Sequence, residues 1–383
     1  MTDISTQTHT PWQSVGLVQA LPFWMSMLFV PMMIAACLWG GWFIAVIPIY
    51  GWIVMSVLDR FVGVDQRNID PNTTVSLTPY RLITLIWLPI QAALIFGPLM
   101  VVSWTDHLSF SERVWLMVVA GVTSGSIGIN YAHELVHQRN RAEQRLGEGL
   151  LALVLYGHFK SEHVLVHHRY VGTPRDPVTA RYNEHFYRFF ARVVWGQLRS
   201  AWEVEASLLA RRGLPIWHRR NPFWRYVGAG VAMLVLAWLI GGAWAVMLFC
   251  LQAFVAILQL ELVNYVEHYG LTRRHLGGGK YEPVAPRHSW NAAQKMTNYL
   301  LINLQRHSDH HFKPDRRFPL LQTYPADEAP QLPYGYPVMT LMALNPLWFR
   351  RTMNPLVRKW RMDHYPDIKD WSAYKSGALP MPR

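Results

Sequence analysis

The sequence predicts an all-α membrane protein, a six-transmembrane-helix bundle with a histidine-rich, two-metal cap on its cytoplasmic side. Three observations lead there. Apolar residues make up 51% of the 383-residue chain, charged residues only 16%, and the apolar ones gather in blocks. Each block is about 20 residues long, the length that crosses a bilayer. The 36 Lys and Arg crowd between and after those blocks, and nine of the 17 histidines stand in four short groups near block ends or in the basic segments.

Taken in chain order, spans are expected at 21–39, 41–58, 82–104, 114–136, 226–242 and 245–267. The second is the most broken, with Pro48 and the glycines Gly41 and Gly51 in it. Trp39-Gly40-Gly41 and Gly241-Gly242 supply short turns, so these spans pair as hairpins. Of the basic residues, 15 lie in 138–225, 17 in 271–383, three in 59–81, and one is Arg113. Segments rich in Lys and Arg stay on the inner side, which makes 138–225 and 271–383 one cytoplasmic cap. Residues 1–20 are expected to be a cytoplasmic N-terminal segment without the basic start of a signal peptide. Residues 21–383 are expected to form a single membrane domain. Orientation and contact with anionic lipid account for the net charge of +12, and attraction to an acidic protein fits it too. No basic–aromatic motif points to nucleic acid. Cys37 and Cys250 both fall inside spans and offer neither a disulfide framework nor a C-x-x-C site.

The histidine groups carry the chemistry. His133 and His137 sit in HELVH; His163, His167 and His168 in SEHVLVHH; His268 in NYVEHYG; His307, His310 and His311 in LQRHSDHH. Side chains three or four apart on a helix share a face. His133 with His137, and His163 with His167, can therefore each present two imidazoles to one ion. His307 can do so with His310 and His311, while an adjacent histidine reaches a second ion. Nine imidazoles exceed what one ion takes and suit two. Glu134, Glu162, Glu267 and Asp309 stand beside the groups and are expected to accept the second N–H of ligand histidines, a partnership that fixes the tautomer. His158 and His288 are the isolated histidines expected nearest the site. Glu261, Asn264 and His268 form one polar stripe on the last apolar block. An ionisable group at a span centre costs about 2.5–3.5 kcal/mol to insert and marks function by default.

HELVH alone has the H-E-x-x-H pattern of zinc proteases, but such a site has no use for three further histidine groups. A transported metal is bound near the membrane midplane, and a heme takes one or two axial histidines. A pair of redox ions remains, and iron is the one expected, since imidazole suits iron and iron carries out oxygen chemistry.

HELVHQ, EHVLVHH, NYVEHYGL and LQRHSDHH, with YGHFKSEH, TPRDPVTAR, PRHSWN and QLPYGYPVMT around them, resemble the histidine boxes of the integral-membrane non-heme di-iron alkane hydroxylases, the alkane 1-monooxygenases. The resemblance implies that His133, His137, His163, His167, His168, His268, His307, His310 and His311 ligate two non-heme iron ions. It implies hydroxylation of the terminal methyl of a medium- or long-chain n-alkane with O2. It also implies a separate rubredoxin, reduced by rubredoxin reductase, as electron donor, docking on Arg and Lys around 211–225 or 306–317. The location implied is a bacterial inner membrane. In this family a bulky residue on the second span limits chain length, which makes Gly51 and Trp52 candidate channel residues. Two departures bear on the substrate: Val166 stands where the family commonly has Gly, and Arg175 replaces an acid. Xylene-type monooxygenases, which hydroxylate aryl methyl groups, share similar boxes and are the alternative. Fatty acyl desaturases or hydroxylases and an intramembrane metalloprotease are more distant ones.

Overall fold

A computed structural model describes residues 15–371. His9 and most of the expected N-terminal segment 1–20 lie outside the described residues. The described chain is mostly helical, its sheet a small hairpin of His275–Gly277 with Lys280–Tyr281.

Five helices among the described residues are long and apolar enough to cross a membrane: α1 (Leu17–Trp39), α2 (Trp42–Val62), α3 (Thr78–Trp104), α4 (Phe110–Val136) and α7 (Phe223–His268). Between α4 and α7 come α5 (Arg141–Ala152) and α6 (Phe186–Ala210). After α7 come α8 (His307–Phe312), α9 (Tyr336–Ala343) and α10 (Pro346–His364).

Where six spans were expected, five such helices are found among the described residues. The stretches expected as the fifth and sixth form the one 46-residue run α7, which is broken at Gly241 (φ −159, ψ 27) and Gly242 (φ 62, ψ −148). A straight helix of that length would be about 69 Å long, against a hydrocarbon core of about 30 Å. The positive φ at Gly242 is one that glycine adopts without a Cβ penalty. Trp104 Nε1 donates to the Ile240 carbonyl, 2.7 Å away, and so partners a backbone acceptor at the break.

Helix α2 absorbs its proline without ending. Pro48 has no N–H to give to the preceding turn, and residues Ile49–Val54 adopt a wider π-helical turn before the α-helix resumes. Helix α4 opens with a capping box at Ser109 and Glu112 and is the most buried of the candidate spans. It packs closely on α7: a Cβ on Gly121 would stand 2.5 Å from the Gln252 carbonyl oxygen. This contact fixes the wall from which HELVH projects. The spans expose large apolar side chains outward, among them Leu38, Ile53, Val231 and Leu239. Trp39, Trp42 and Trp104 are exposed near span ends, where indole rings suit a membrane–water boundary.

Candidate metal centre

The last turns of α4 and α7, the helical run Phe159–Tyr170, and α8 bring all nine boxed histidines together in two groups. His133, His137, His163, His168 and His310 form one; His167, His268, His307 and His311 form the other. Within each group one nitrogen per ring lies within 4.8 Å of all the others. The groups adjoin: the rings of His168 and His311 are stacked with centroids 4.5 Å apart.

The grouping corrects one expectation. His163 and His167 do not face the same way, because residues His163–His167 form a π-helical turn. A π-turn aligns residues five apart rather than four. His163 Nε2 therefore meets His168 Nε2 at 3.0 Å, and His167 turns to the other group. In α8, His307 and His311 keep the four-residue relation with Nε2 atoms 3.0 Å apart, while His310 points across to His168 at 3.0 Å.

These residues fit metal ions. Two imidazole nitrogens at right angles on one ion, with bonds of about 2.1 Å, stand about 3.0 Å apart. His137 Nε2 and His167 Nε2 are buried and lack a hydrogen-bond partner, as ligand lone pairs would. Burial, with the neighbouring imidazoles, holds His163, His168, His307, His310 and His311 well below the usual imidazole range. The rings are therefore neutral and able to coordinate.

The four expected carboxylates diverge. Glu267 sits closest, with one oxygen 3.3 Å from His307 Nε2 and the other accepting from Tyr336 OH at 2.7 Å. Glu162 is fully buried and neither oxygen has a hydrogen-bond partner; burial and the charges of Asp176 and Glu261 push its pKa well up. Glu134 accepts instead from Gln138 at 3.0 Å. Asp309 is held by Arg316, Tyr324 and the Gln322 N–H. Both acids follow the helix away from the histidine beside them, because adjacent helical residues do not share a face.

A further carboxylate, not among those four, holds a boxed histidine. Asp176 Oδ2 lies 3.0 Å from His167 Nδ1, and Asp176 also accepts from Thr179 Oγ1 at 2.7 Å and Val178 N at 2.9 Å. Its place in TPRDP, nine residues beyond His167, hid it from helical spacing. The polar stripe on α7 is a buried network: Asn264 donates to Glu261 at 3.0 Å, and Tyr156 OH approaches Glu261 at 3.2 Å. His158 and His288 join neither group: His158 packs on Tyr156, and His288 lies 3.1 Å from Glu282.

A cleft runs into the site. His133 and His163 of the larger group and His307 of the smaller line it, as do Gly51, Trp52, Phe29 and Gly125. Ile129, Leu260, Val263 and Leu300 give it apolar walls.

A family model described as fatty acid desaturase matches residues 113–342. Alkane 1-monooxygenase 2 of Pseudomonas aeruginosa is 38% identical over 322 residues, covering 81% of this chain and 84% of its own. The alkane 1-monooxygenase of Pseudomonas putida is 36% identical over 329 residues, covering 84% and 80%. This chain belongs to the alkane 1-monooxygenase family. A xylene/toluene monooxygenase hydroxylase component of Pseudomonas putida is 30% identical over 239 residues, 62% of each chain, a shorter and weaker likeness. In this alkane 1-monooxygenase family member, Val166 is buried on the 159–170 run and Arg175 is exposed, and neither is among the residues that line the cleft.

Proposed function

We propose that this protein is an integral-membrane monooxygenase that hydroxylates the terminal methyl group of medium- or long-chain n-alkanes to primary alcohols. The observation that carries the reading is the cleft, an apolar passage that opens onto histidines of both groups. An n-alkane offers no polar handle, so a mainly apolar cleft positions it by shape alone. Iron is the ion proposed, one in each group, and it supplies the activation of O2 when bound. His133, His137, His163, His168 and His310 would hold one ion, and His167, His268, His307 and His311 the other. The chain's own residues orient and seal the site. Asp176 fixes the His167 ring, Glu267 and Tyr336 close the cleft beside His307, and the apolar walls keep water from the reacting carbon.

In this reading the two arms of α7 each cross the bilayer, making six spans in a single membrane domain, 21–383. The basic cap of 138–225 and 271–383 faces the cytoplasm of a bacterial inner membrane, and rubredoxin with its reductase supplies electrons. Product analysis from cells fed octane, hexadecane and p-xylene, with rubredoxin and reductase supplied, tests it. Primary alcohols from the alkanes are expected, with close to two irons per purified chain. Oxidation of p-xylene alone would move the assignment to the aryl-methyl reaction. A single zinc with peptide cleavage would return the protease. Trp52 lines the cleft, so Trp52→Ser should shift the product profile toward longer alkanes by a few carbons. An unchanged profile would remove Trp52 from the channel.

A further inference from the structure

Hydroxylation of an alkane needs two electrons: RCH3 + O2 + 2 H⁺ + 2 e⁻ gives RCH2OH + H2O. The chain's two cysteines, Cys37 and Cys250, lie on separate spans and cannot hold a cluster of their own. In the hydroxylase reading the electrons arrive from a redox carrier, and its docking face must lie close to the histidines.

Three histidine boxes end in the same way. Arg139 follows His137 by two residues, Arg169 follows His168 by one, and Lys313 follows His311 by two. The fold makes this pattern one surface. The His137 and His168 rings are 4.5 Å apart, as are those of His168 and His311. His137 and His168 keep part of their surface open, and Arg139, Arg169 and Lys313 are exposed. Arg175 adds a fourth exposed cation, lying with Arg169 against the Tyr170 ring at 5.6 and 5.2 Å. Phe312, 44% exposed, lies under the Lys313 ammonium. One acid, Asp315, pairs with Arg139 at 2.7 Å.

The other basic stretches are differently placed. Arg306 is buried, Arg316 is engaged with Asp309, and Arg317 with Glu143. Arg225 is tied to Glu148. Arg211, Arg212, Arg219 and Arg220 are exposed, but among the exposed indoles of Trp217 and Trp224, a pairing that suits the membrane boundary.

We propose that Arg139, Arg169, Arg175 and Lys313, around Phe312, form the docking face for a small acidic one-electron carrier protein, which delivers two electrons in successive encounters through His137 and His168. This rests on the hydroxylase reading. Opposite charge speeds encounter and fixes orientation, and the exposed ring gives the contact an apolar centre.

The test uses the iron-loaded full chain in lipid nanodiscs, octane as substrate, and reduced rubredoxin as the acidic carrier. Dithionite serves as a small reductant that needs no docking. In the triple variant Arg139→Glu/Arg169→Glu/Lys313→Glu the ratio of carrier-driven to dithionite-driven turnover should fall at least ten-fold, and its dependence on salt should flatten. Arg169→Glu alone should lower the ratio several-fold and serves if the triple variant loses iron. Arg211→Glu/Arg219→Glu/Arg220→Glu should keep the wild-type ratio. An unchanged ratio in the first two variants, or a fall in the last, overturns the docking face alone. No octanol from the wild-type chain with either reductant overturns the hydroxylase reading and the docking face with it.

Discussion

The two histidine groups use the same side chain and differ in what surrounds it. The group of five includes His137 and His168, which are partly open toward an exposed basic rim. The group of four is buried throughout and has carboxylates close by, Asp176 on His167 and Glu267 beside His307. Identical imidazoles thus face two environments, one reached from the surface and one fixed from within. In the proposed reaction the first suits electron entry. The second suits a permanent, tightly oriented ion, because a buried acid on the far nitrogen fixes a ligand ring and raises its basicity.

The largest effect should come from removing one ligand of either group. His310→Ala in the group of five and His268→Ala in the group of four should each abolish hydroxylation, and iron should fall from about two per chain toward one. Retained activity in either variant would break the nine-ligand arrangement; metal analysis with product assay decides.

A smaller effect separates the groups. Asp176→Asn keeps the shape but weakens the hold on His167, and such partners typically carry about 10–100-fold in metal affinity or activity. The loss should appear as weaker binding of one ion, with a changed iron spectrum. Glu134→Gln, at an acid bonded to Gln138 rather than a histidine, should change iron affinity little. Equal losses in the two variants would erase the distinction drawn between these acids.

The smallest effect is on pH. The buried rings of His163, His168, His307, His310 and His311 resist protonation, whereas in the unfolded chain they take protons near about pH 6.5. Below that value the unfolded state binds more protons, so stability falls as pH falls, and protons also compete with metal. Iron loss to a chelator should quicken from pH 7.5 to 5.5 in two phases, the ion of the more open group leaving several-fold faster. A single phase for both ions would show that the surface opening at His137 and His168 does not matter.

Much of this was legible in the residues. Apolar blocks located the spans to within a few residues, and His133 with His137 share a group, as their spacing requires. The break at Gly241-Gly242 was visible as a turn signal, and both residues leave helical geometry there. Misplaced readings came from treating all histidine segments as regular α-helix. The π-turn at His163–His167 moves His167 to the other group, and nothing in EHVLVHH signals that turn. Glu134 and Asp309 turn away for a related reason: proximity in sequence is not proximity in space, and Asp176 reaches His167 through a loop.

The sequence by itself determined the kind of molecule, because hydrophobic length and the supply of imidazoles are local properties of composition and spacing. It also determined the family, because the boxes are contiguous strings. Which histidine stands with which, which acid touches a ring, and which cations share a face were decided only by the tertiary structure. Those are relations between segments far apart in the chain, such as Leu301 with Asn130, 171 residues away, which donates to its carbonyl beside the cleft. They depend on helix rotation and crossing, which no single segment encodes.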